Sequence, residues 1–207
     1  MTLNKCVITL HHADNRTIDI PPDSAIVSDP PYGCKNNCDY TRFSGGLSPS
    51  RNHHRGITGD SEPFEPTRWL SYPHVVLFGY QFFANTLPLG TTLVWLKKRD
   101  NQLGSFLSDC ELAWLKGGKG CYLYRHVWHG FDRETERGKT LHPTQKPVAL
   151  MEWVIQRAKI PKGTTIVDPY CGSGATLIAA NNLGYDAIGI ELDETYYQIA
   201  KDRCPTA

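Results

Sequence analysis

Residues 164–191 constrain this chain more than any other stretch. Thr164-Thr165-Ile166-Val167 reads as a buried strand, and Asp168-Pro169-Tyr170-Cys171-Gly172-Ser173-Gly174 reads as a tight glycine turn. Ala175 to Leu183 then has the apolar spacing of a helix, stopped by Gly184. A second strand, Asp186 to Ile190, ends on the acid Glu191. This is a βαβ unit. Its glycines let the backbone approach a ligand, and an acid closing the second strand can hold both hydroxyls of a ribose. A nucleoside-bearing ligand is the expectation.

The rest of the chain fits around that unit. Strands are expected at Lys5–His11, Ala25–Ser28, His74–Phe78, Thr91–Lys97, Glu111–Lys116, Thr164–Asp168 and Asp186–Glu191. Helices are expected at Gln81–Leu87, Val148–Lys159, Thr176–Leu183 and Thr195–Arg203, the last with Asp193 as N-cap. Alternating strands and helices predict an α/β fold, a doubly wound, mostly parallel seven-stranded sheet with helices on both faces. Residues 34–68 are rich in Gly, Pro, Ser, Asn and His without periodicity and predict a long mobile loop. With 207 residues and 40% hydrophobic content, residues 1–207 are expected to form a single domain.

Asp29-Pro30-Pro31-Tyr32 supplies chemistry that the βαβ unit lacks. Proline has no N–H and a fixed φ, so carbonyls beside it stay free to accept from an amino group. Asp29 could accept a second amino hydrogen while Tyr32 stacks on a flat ring. An exocyclic amine on a base is a poor nucleophile because its lone pair is delocalised. Accepting both of its hydrogens localises that pair and lets it attack an electrophilic methyl. The same tetrapeptide could also merely end a strand at a turn.

Composition narrows the setting. No long apolar run or signal peptide is present, which disfavours a membrane or secreted location. Seven irregularly spread cysteines suggest reduced thiols in a cytoplasm. Cys34 and Cys38, with His53 and His54, form the one conceivable metal cluster, but adjacent histidines suit zinc poorly, so no metal is expected. The net charge is only +1, yet it is unevenly divided: residues 33–58 carry a local +3, residues 116–146 a local +4, and the remainder sums to −6. Each basic segment adjoins a motif, as expected if Arg42, Arg51 and Arg55 in the first, and Lys119, Arg125, Arg133, Arg137 and Lys139 in the second, face a phosphate backbone. Tyr122, Tyr124, Trp128 and Phe131 interleave with the second set and with His126 and His129, a mixture suited to bases and phosphates together. Trp95, Trp114 and Trp153 lie in apolar patterns and are expected in the core, and Lys97, Lys98 and Arg99 at a solvated strand edge.

Asp29 to Tyr32, His142-Pro143-Thr144-Gln145-Lys146-Pro147 and Asp168 to Gly174, in that order, resemble the S-adenosylmethionine-dependent DNA amino-methyltransferases of the permuted β group, in which the catalytic tetrapeptide precedes the donor-binding glycine loop. Val75 to Gly79, Leu93 to Lys97 and Asp109 to Trp114 resemble the strands lying between. The resemblance runs from about residue 5 to residue 203. It implies a Rossmann-like class I methyltransferase fold, circularly permuted, in which the strand from Glu111 runs antiparallel. It also implies S-adenosylmethionine as cofactor and DNA as partner, with Asp29, Pro30, Pro31 and Tyr32 around a base swung out of the duplex. Asp168, Tyr170, Cys171, Gly172, Ser173, Gly174 and Thr176 would surround the methionine part of the donor. Glu191 would take the ribose, and Thr144, Gln145 and Lys146 would close over the donor's carboxylate. Asp14 would contact the donor's adenine, although the family usually shows Gly-Asp and this chain has Ala13-Asp14. Residues 117–141 would form a small target-recognition segment. Its shortness leaves a homodimer open, and a restriction nuclease as partner equally so.

The resemblance favours adenine-N6 over cytosine-N4, because the tetrapeptide begins with Asp29 where the cytosine enzymes more often have serine. Two other classes stay open: a non-catalytic DNA-binding subunit with the same fold, and an NAD-dependent oxidoreductase. The latter would need a third glycine where the chain has Leu177.

Overall fold

The computed structural model describes residues 6–34, 59–105, 107–129, 132–136, 141 and 144–204. Their strands are β1 (Ile8–His12), β2 (Ala25–Ser28), β3 (His74–Phe78), β4 (Gly90–Leu96), β5 (Cys110–Arg125), β6 (Trp128–His129), β7 (Asp132–Arg133), β8 (Ile166–Asp168) and β9 (Ala187–Glu191). The α-helices are α1 (Val148–Arg157), α2 (Ala175–Asn182) and α3 (Glu194–Arg203). Seven strands form one sheet in the order β1-β9-β8-β2-β3-β5-β4, and β6 and β7 form a separate hairpin. The pairs β1–β9, β9–β8, β8–β2 and β2–β3 are parallel, and β3–β5 is antiparallel. This is the mostly parallel seven-stranded α/β sheet that the alternation of elements predicts.

The central strands are buried on both faces, so they read as continuous apolar runs and not as alternating ones. Ala25, Val27, Val76, Phe78 and Ile166 pack on one side against Leu150, Val154 and Ile155 of α1, Leu177 and Ala180 of α2, and Ala200 of α3. Ile26, Val75, Leu77 and Val167 pack on the other side against Ile20, Trp69 and Phe83. That second face differs from expectation. All three described α-helices pack on the first face, and the second is covered by 3-10 turns, chiefly Thr67–Ser71, which buries Trp69. The predicted helix Gln81–Leu87 is instead two 3-10 turns, Tyr80–Phe82 and Ala84–Thr86. Asn85 and Thr86 are weak helix formers and Pro88 stops the run, so nothing propagates a helix here.

Strand β5 is longer than the predicted Glu111–Lys116. Its first part runs antiparallel to β4, with Leu96 opposite Cys110 and Thr92 opposite Trp114. The chain then reverses at Gly117 and Gly118, both at positive φ. Its second part pairs along β4 in the parallel sense, with Thr92 opposite Cys121 and Leu96 opposite Arg125. The opening of the predicted recognition segment is therefore a sheet edge. Asp193 caps α3, its side chain accepting from the Thr195 and Tyr196 N–H groups, as predicted. No helix among the described residues is long and apolar enough to cross a membrane.

The basic run after β4 is only partly a solvated edge, with Arg99 exposed, Lys97 half-buried and Lys98 inside. Lys98 is fully buried, and its ammonium donates to the carbonyls of Ser105 (3.0 Å) and Leu107 (2.7 Å) and to Asp109 Oδ1 (2.8 Å). Lys97 pairs with Glu111 at 2.8 Å and Arg99 with Asp132 at 3.0 Å. Lys98 thus closes the 99–109 loop around one buried charge. Lys98→Met should lower stability by about 2–4 kcal/mol, since it strands two carbonyls and a carboxylate. Urea unfolding measures this, and an unchanged midpoint would show that the loop is held by other contacts.

Candidate active site

Parallel pairing of β2 with β8 places Asp29 and Asp168 side by side at the carboxyl ends of adjacent strands, although they are 139 positions apart in sequence. Ser28 Oγ donates to Asp168 Oδ1 at 2.6 Å across that boundary. A cleft of about 560 Å³ opens above it. Asp29, Pro30, Pro31 and Tyr32 form one wall, and Tyr170, Gly172 and Glu191 form the other. The proline cradle and the glycine bend therefore share one cavity, of a size typical for small-molecule sites. Open α/β sheets bind ligands at this end of the strands.

On the glycine side, Asp168 is buried and fully engaged by its own chain. Thr176 Oγ1 donates to Oδ2 at 2.5 Å, and the Tyr170 N–H donates to Oδ1 at 3.1 Å. Burial pushes its pKa from the ordinary 3.8 up to about 6, against the pull of those donors. Glu191 accepts from the Gly172 N–H and the Asp193 N–H, each at 2.8 Å, and burial raises its pKa too. Glu191 thus fixes the bend while lining the cleft. Gly174 stands at φ +81° as the residue before α2, and a Cβ there would meet Cys204 Sγ at 2.9 Å and Ala200 Cβ at 3.4 Å. Packing against α3 and its following residue, and the positive φ, both favour glycine there. Cys171 and Ser173 are buried, and Ser173 accepts from Arg203 through both its carbonyl (2.6 Å) and its hydroxyl (2.7 Å).

On the tetrapeptide side, both Asp29 oxygens are occupied. The Tyr32 hydroxyl donates to Oδ1, and the Lys146 ammonium binds Oδ2. Lys146 also lies 3.2 Å from Glu111 Oε2, while Lys97 holds Glu111 Oε1 at 2.8 Å. Lys146 is therefore engaged by two carboxylates. Burial raises the Asp29 pKa against the pull of Lys146. For Glu111 the two lysines overcome burial and hold it down at about 2, and for Lys146 the two carboxylates overcome burial and hold it up at about 12. Tyr32 stacks on Phe82 with centroids 5.0 Å apart, and its ring lies where a Cβ on Gly79 would stand, which requires glycine there. Asp60 Oδ1 accepts from three successive N–H groups, those of Tyr32 (3.1 Å), Gly33 (2.9 Å) and Cys34 (3.3 Å). This anion-like nest fixes the end of the tetrapeptide.

Gln145 is also structural: it accepts from the Leu141 N–H and donates to Glu136 Oε1, both at 3.2 Å. Thr144 lines the cleft. Asp14 lines the cleft's far end, where Arg16 holds its pKa down at about 2 through a 2.5 Å contact.

The family described as a DNA methylase of N6/N4 type matches residues 116–202. The type II methyltransferase M2.DpnII of Streptococcus pneumoniae is 34% identical over 113 residues, which is 54% of this chain and 41% of that protein. M2.LlaDCHI of Lactococcus lactis subsp. cremoris is 33% identical over 113 residues, 54% of this chain and 40% of that one. Residues 116–202 are thus similar to that N6/N4 DNA methylase family. The match spans about two-fifths of the length of those curated relatives. The fold is similar over 95% of the chain to the crystal structure of the M1.HpyAVI complex with SAM, at a TM-score of 0.54, 24% identity and 100% coverage of that chain. The cytosine-N4-specific PvuII DNA methyltransferase matches at 0.60, with 12% identity over 95% of this chain and 86% of that one.

The matched segment contains Lys146, the glycine bend and Glu191, whereas the tetrapeptide precedes it. Several of its predicted DNA-facing groups are differently employed. Arg125 pairs with Asp100 at 2.6 Å and Arg133 lies 4.2 Å over the Trp128 ring, while Lys119 is exposed at the β5 turn. Tyr124 stacks on Trp153 at 5.1 Å and His126 is buried, while Tyr122 stays exposed with Arg157 3.2 Å from its ring centre. Arg42, Arg51, Arg55, Arg137, Lys139 and Phe131 lie outside the described residues, as do Cys38, His53 and His54 and most of the predicted loop 34–68. Among the described residues no group of three His, Cys, Asp or Glu is placed to hold a metal.

Four organising residues are absent from the sequence expectations: Asp60, Glu111, Glu136 and Arg203. Glu136 accepts from Arg203 (2.8 Å), from Gln145 and from the Val148 N–H at the start of α1 (2.9 Å), tying that helix to the glycine bend. A lone acid inside the apolar Cys110–Leu115 strand was the available signal for Glu111.

The raised pKa of Asp168 carries a sign. Its folded form keeps a proton to higher pH than the unfolded chain, so its contribution to stability falls as pH rises from about 4 to about 6. Over that window the wild type should lose on the order of 2–3 kcal/mol more than Asp168→Asn does. Urea unfolding at several pH values tests this, and parallel curves would contradict it.

Proposed function

We propose that this chain transfers a methyl from S-adenosylmethionine to an exocyclic amine of a base in DNA, adenine N6 in preference to cytosine N4. The observation that carries this reading is the shared cleft: Asp29, Pro30 and Tyr32 face Gly172 and Glu191 across one cavity. The matches to type II methyltransferases support the reaction class. The initial Asp29 favours adenine, while fold likeness alone embraces a cytosine-N4 enzyme.

The cleft fits the donor by its chemistry. Glu191 lines it with an anionic acceptor for ribose hydroxyls, Tyr170 offers an aromatic wall, and the backbone bends at Gly172 with φ +50°. When bound, S-adenosylmethionine supplies an electrophilic methyl on a sulfonium. Asp29 and the Pro30 carbonyl accept the two hydrogens of the target amine, which localises the nitrogen lone pair for in-line attack. Once that nitrogen holds the methyl, its surplus proton is acidic and leaves through Asp29 or water. Tyr32, held by Gly79 and Phe82 beneath it, stacks on the extruded base. No covalent enzyme intermediate is needed. DNA is the partner, with the exposed Lys119 as one phosphate contact; a homodimer is compatible with the short recognition segment. The NAD reading is disfavoured by Leu177, which is fully buried in the core of α2 where the fingerprint would need glycine.

Purified protein, S-adenosylmethionine with a deuterated methyl and unmethylated DNA should yield labelled 6-methyladenine in nucleoside digests by mass spectrometry. Labelled 4-methylcytosine would reverse the base preference, and donor binding without any labelled base would favour a non-catalytic DNA-binding role. Asp29→Ala should lower the rate by about 10²- to 10⁴-fold while calorimetry shows donor affinity nearly intact. Near-normal turnover would remove Asp29 from catalysis.

A further inference from the structure

The tetrapeptide's acceptor is masked, and the fold provides a second place for the group that masks it. A target amine needs one Asp29 oxygen as acceptor, and both are already engaged, Oδ1 by Tyr32 and Oδ2 by Lys146. Tyr32 can give up its hydrogen bond as its ring meets a base. Lys146 is harder to displace, because its side chain is only 7% exposed and an ammonium left alone there would lose several kcal/mol of solvation. Glu111 removes that obstacle. It projects from β5 to within 3.2 Å of the same ammonium, and Lys97 of the neighbouring strand region anchors its other oxygen at 2.8 Å.

We propose that Glu111 is a positioning residue that acts as the alternate seat for Lys146, taking the ammonium when the target amine claims Asp29. The inference deepens the methyl-transfer reading and rests on it for its kinetic part. The charge array alternates Asp29, Lys146, Glu111 and Lys97, so the ammonium can shift between two carboxylates without being left unpaired. Phe78, 5.3 Å from the Lys146 nitrogen, forms an apolar floor under that movement. The other titratable groups acting on Asp29 and its partners are Tyr32 on the same loop, Cys34 just beyond it, and Asp168 on β8.

Two variants move Asp29 in opposite directions. Glu111→Gln keeps the shape but removes a negative neighbour and the alternate seat, so Lys146 stays on Asp29 and Asp29 should titrate lower. Lys146→Met removes the cation, and Asp29 should titrate higher. Carbon-13 NMR of labelled aspartate carboxyls in the full chain reads both, with displacements of about one pH unit or more. In turnover, Glu111→Gln should lower kcat about tenfold or more with donor affinity unchanged, and its acid limb should move to lower pH. Adding Lys146→Met to Glu111→Gln should cost little further, because the masking group is then gone. An Asp29 titration unmoved by either variant overturns the two-seat arrangement, and strictly additive kinetic losses overturn its role in turnover. A wild type that binds donor and methylates no DNA would defeat the functional reading instead, while the titrations, which need no substrate, still decide the arrangement of charges.

Discussion

The parallel pairing of β2 with β8 is the constraint on which the site depends. Each strand is only three or four residues long, buried on both faces, and ends on a polar boundary: Ser28-Asp29 on one, Asp168 on the other. The Ser28 to Asp168 hydrogen bond joins those ends, and Asp168 in turn holds Thr176 on α2 and the Tyr170 N–H in the bend. Apolar burial on both faces fixes the register, because a slip by one residue would carry Asp168 out of reach of Ser28. A motif near the start of the chain and one near its end thereby become two walls of one cleft.

Around that boundary the chain concentrates buried charge and then satisfies it. Asp60 gathers three N–H groups behind Tyr32, Glu191 gathers two across the bend, and Glu136 joins Arg203, Gln145 and the start of α1. Each carboxylate converts a loop into a defined wall, at a desolvation cost met by multiple donors. Asp29 is different. Its partners are a phenol and an ammonium that other groups can also hold, Phe82 stacking on Tyr32 and Glu111 lying against Lys146. The acceptor proposed for the target amine is thus the carboxylate of the set whose partners have other groups beside them, as a group that must bind, release and rebind hydrogens requires.

How far the sequence foretold this follows from the range of each interaction. The β8–α2–β9 unit was legible because its signals are local: an apolar run, a glycine bend, helical spacing and a terminal acid. The central strands were legible for the same reason. The second face was not, since Asn85, Thr86 and Pro88 outweigh the apolar residues that suggested a helix, and Trp69 covers the sheet from a 3-10 turn without periodicity. Basic residues misled where their partners lie in other elements. Lys98 reads as a solvated edge and Arg125 as a phosphate contact, yet they pair with Asp109 and Asp100. Glu111 stood out as a lone acid in an apolar strand, but its partner Lys146 lies 35 positions later, and the packing of Gly174 against Ala200 and Cys204 is likewise non-local. Type of residue and order of motifs were readable, but which charge answers which was not.

In the proposed reaction, donor and target base meet between the proline cradle and the glycine bend. A crystal structure of the protein with sinefungin, a donor analogue carrying an amine in place of the sulfonium methyl, tests it most directly. The account predicts the ribose on Glu191, the amino-acid end beside Gly172, and the substituting amine turned toward Asp29 across a gap that admits one base amine. An analogue seated with that amine turned away from Asp29, or bound outside this cleft, would contradict it.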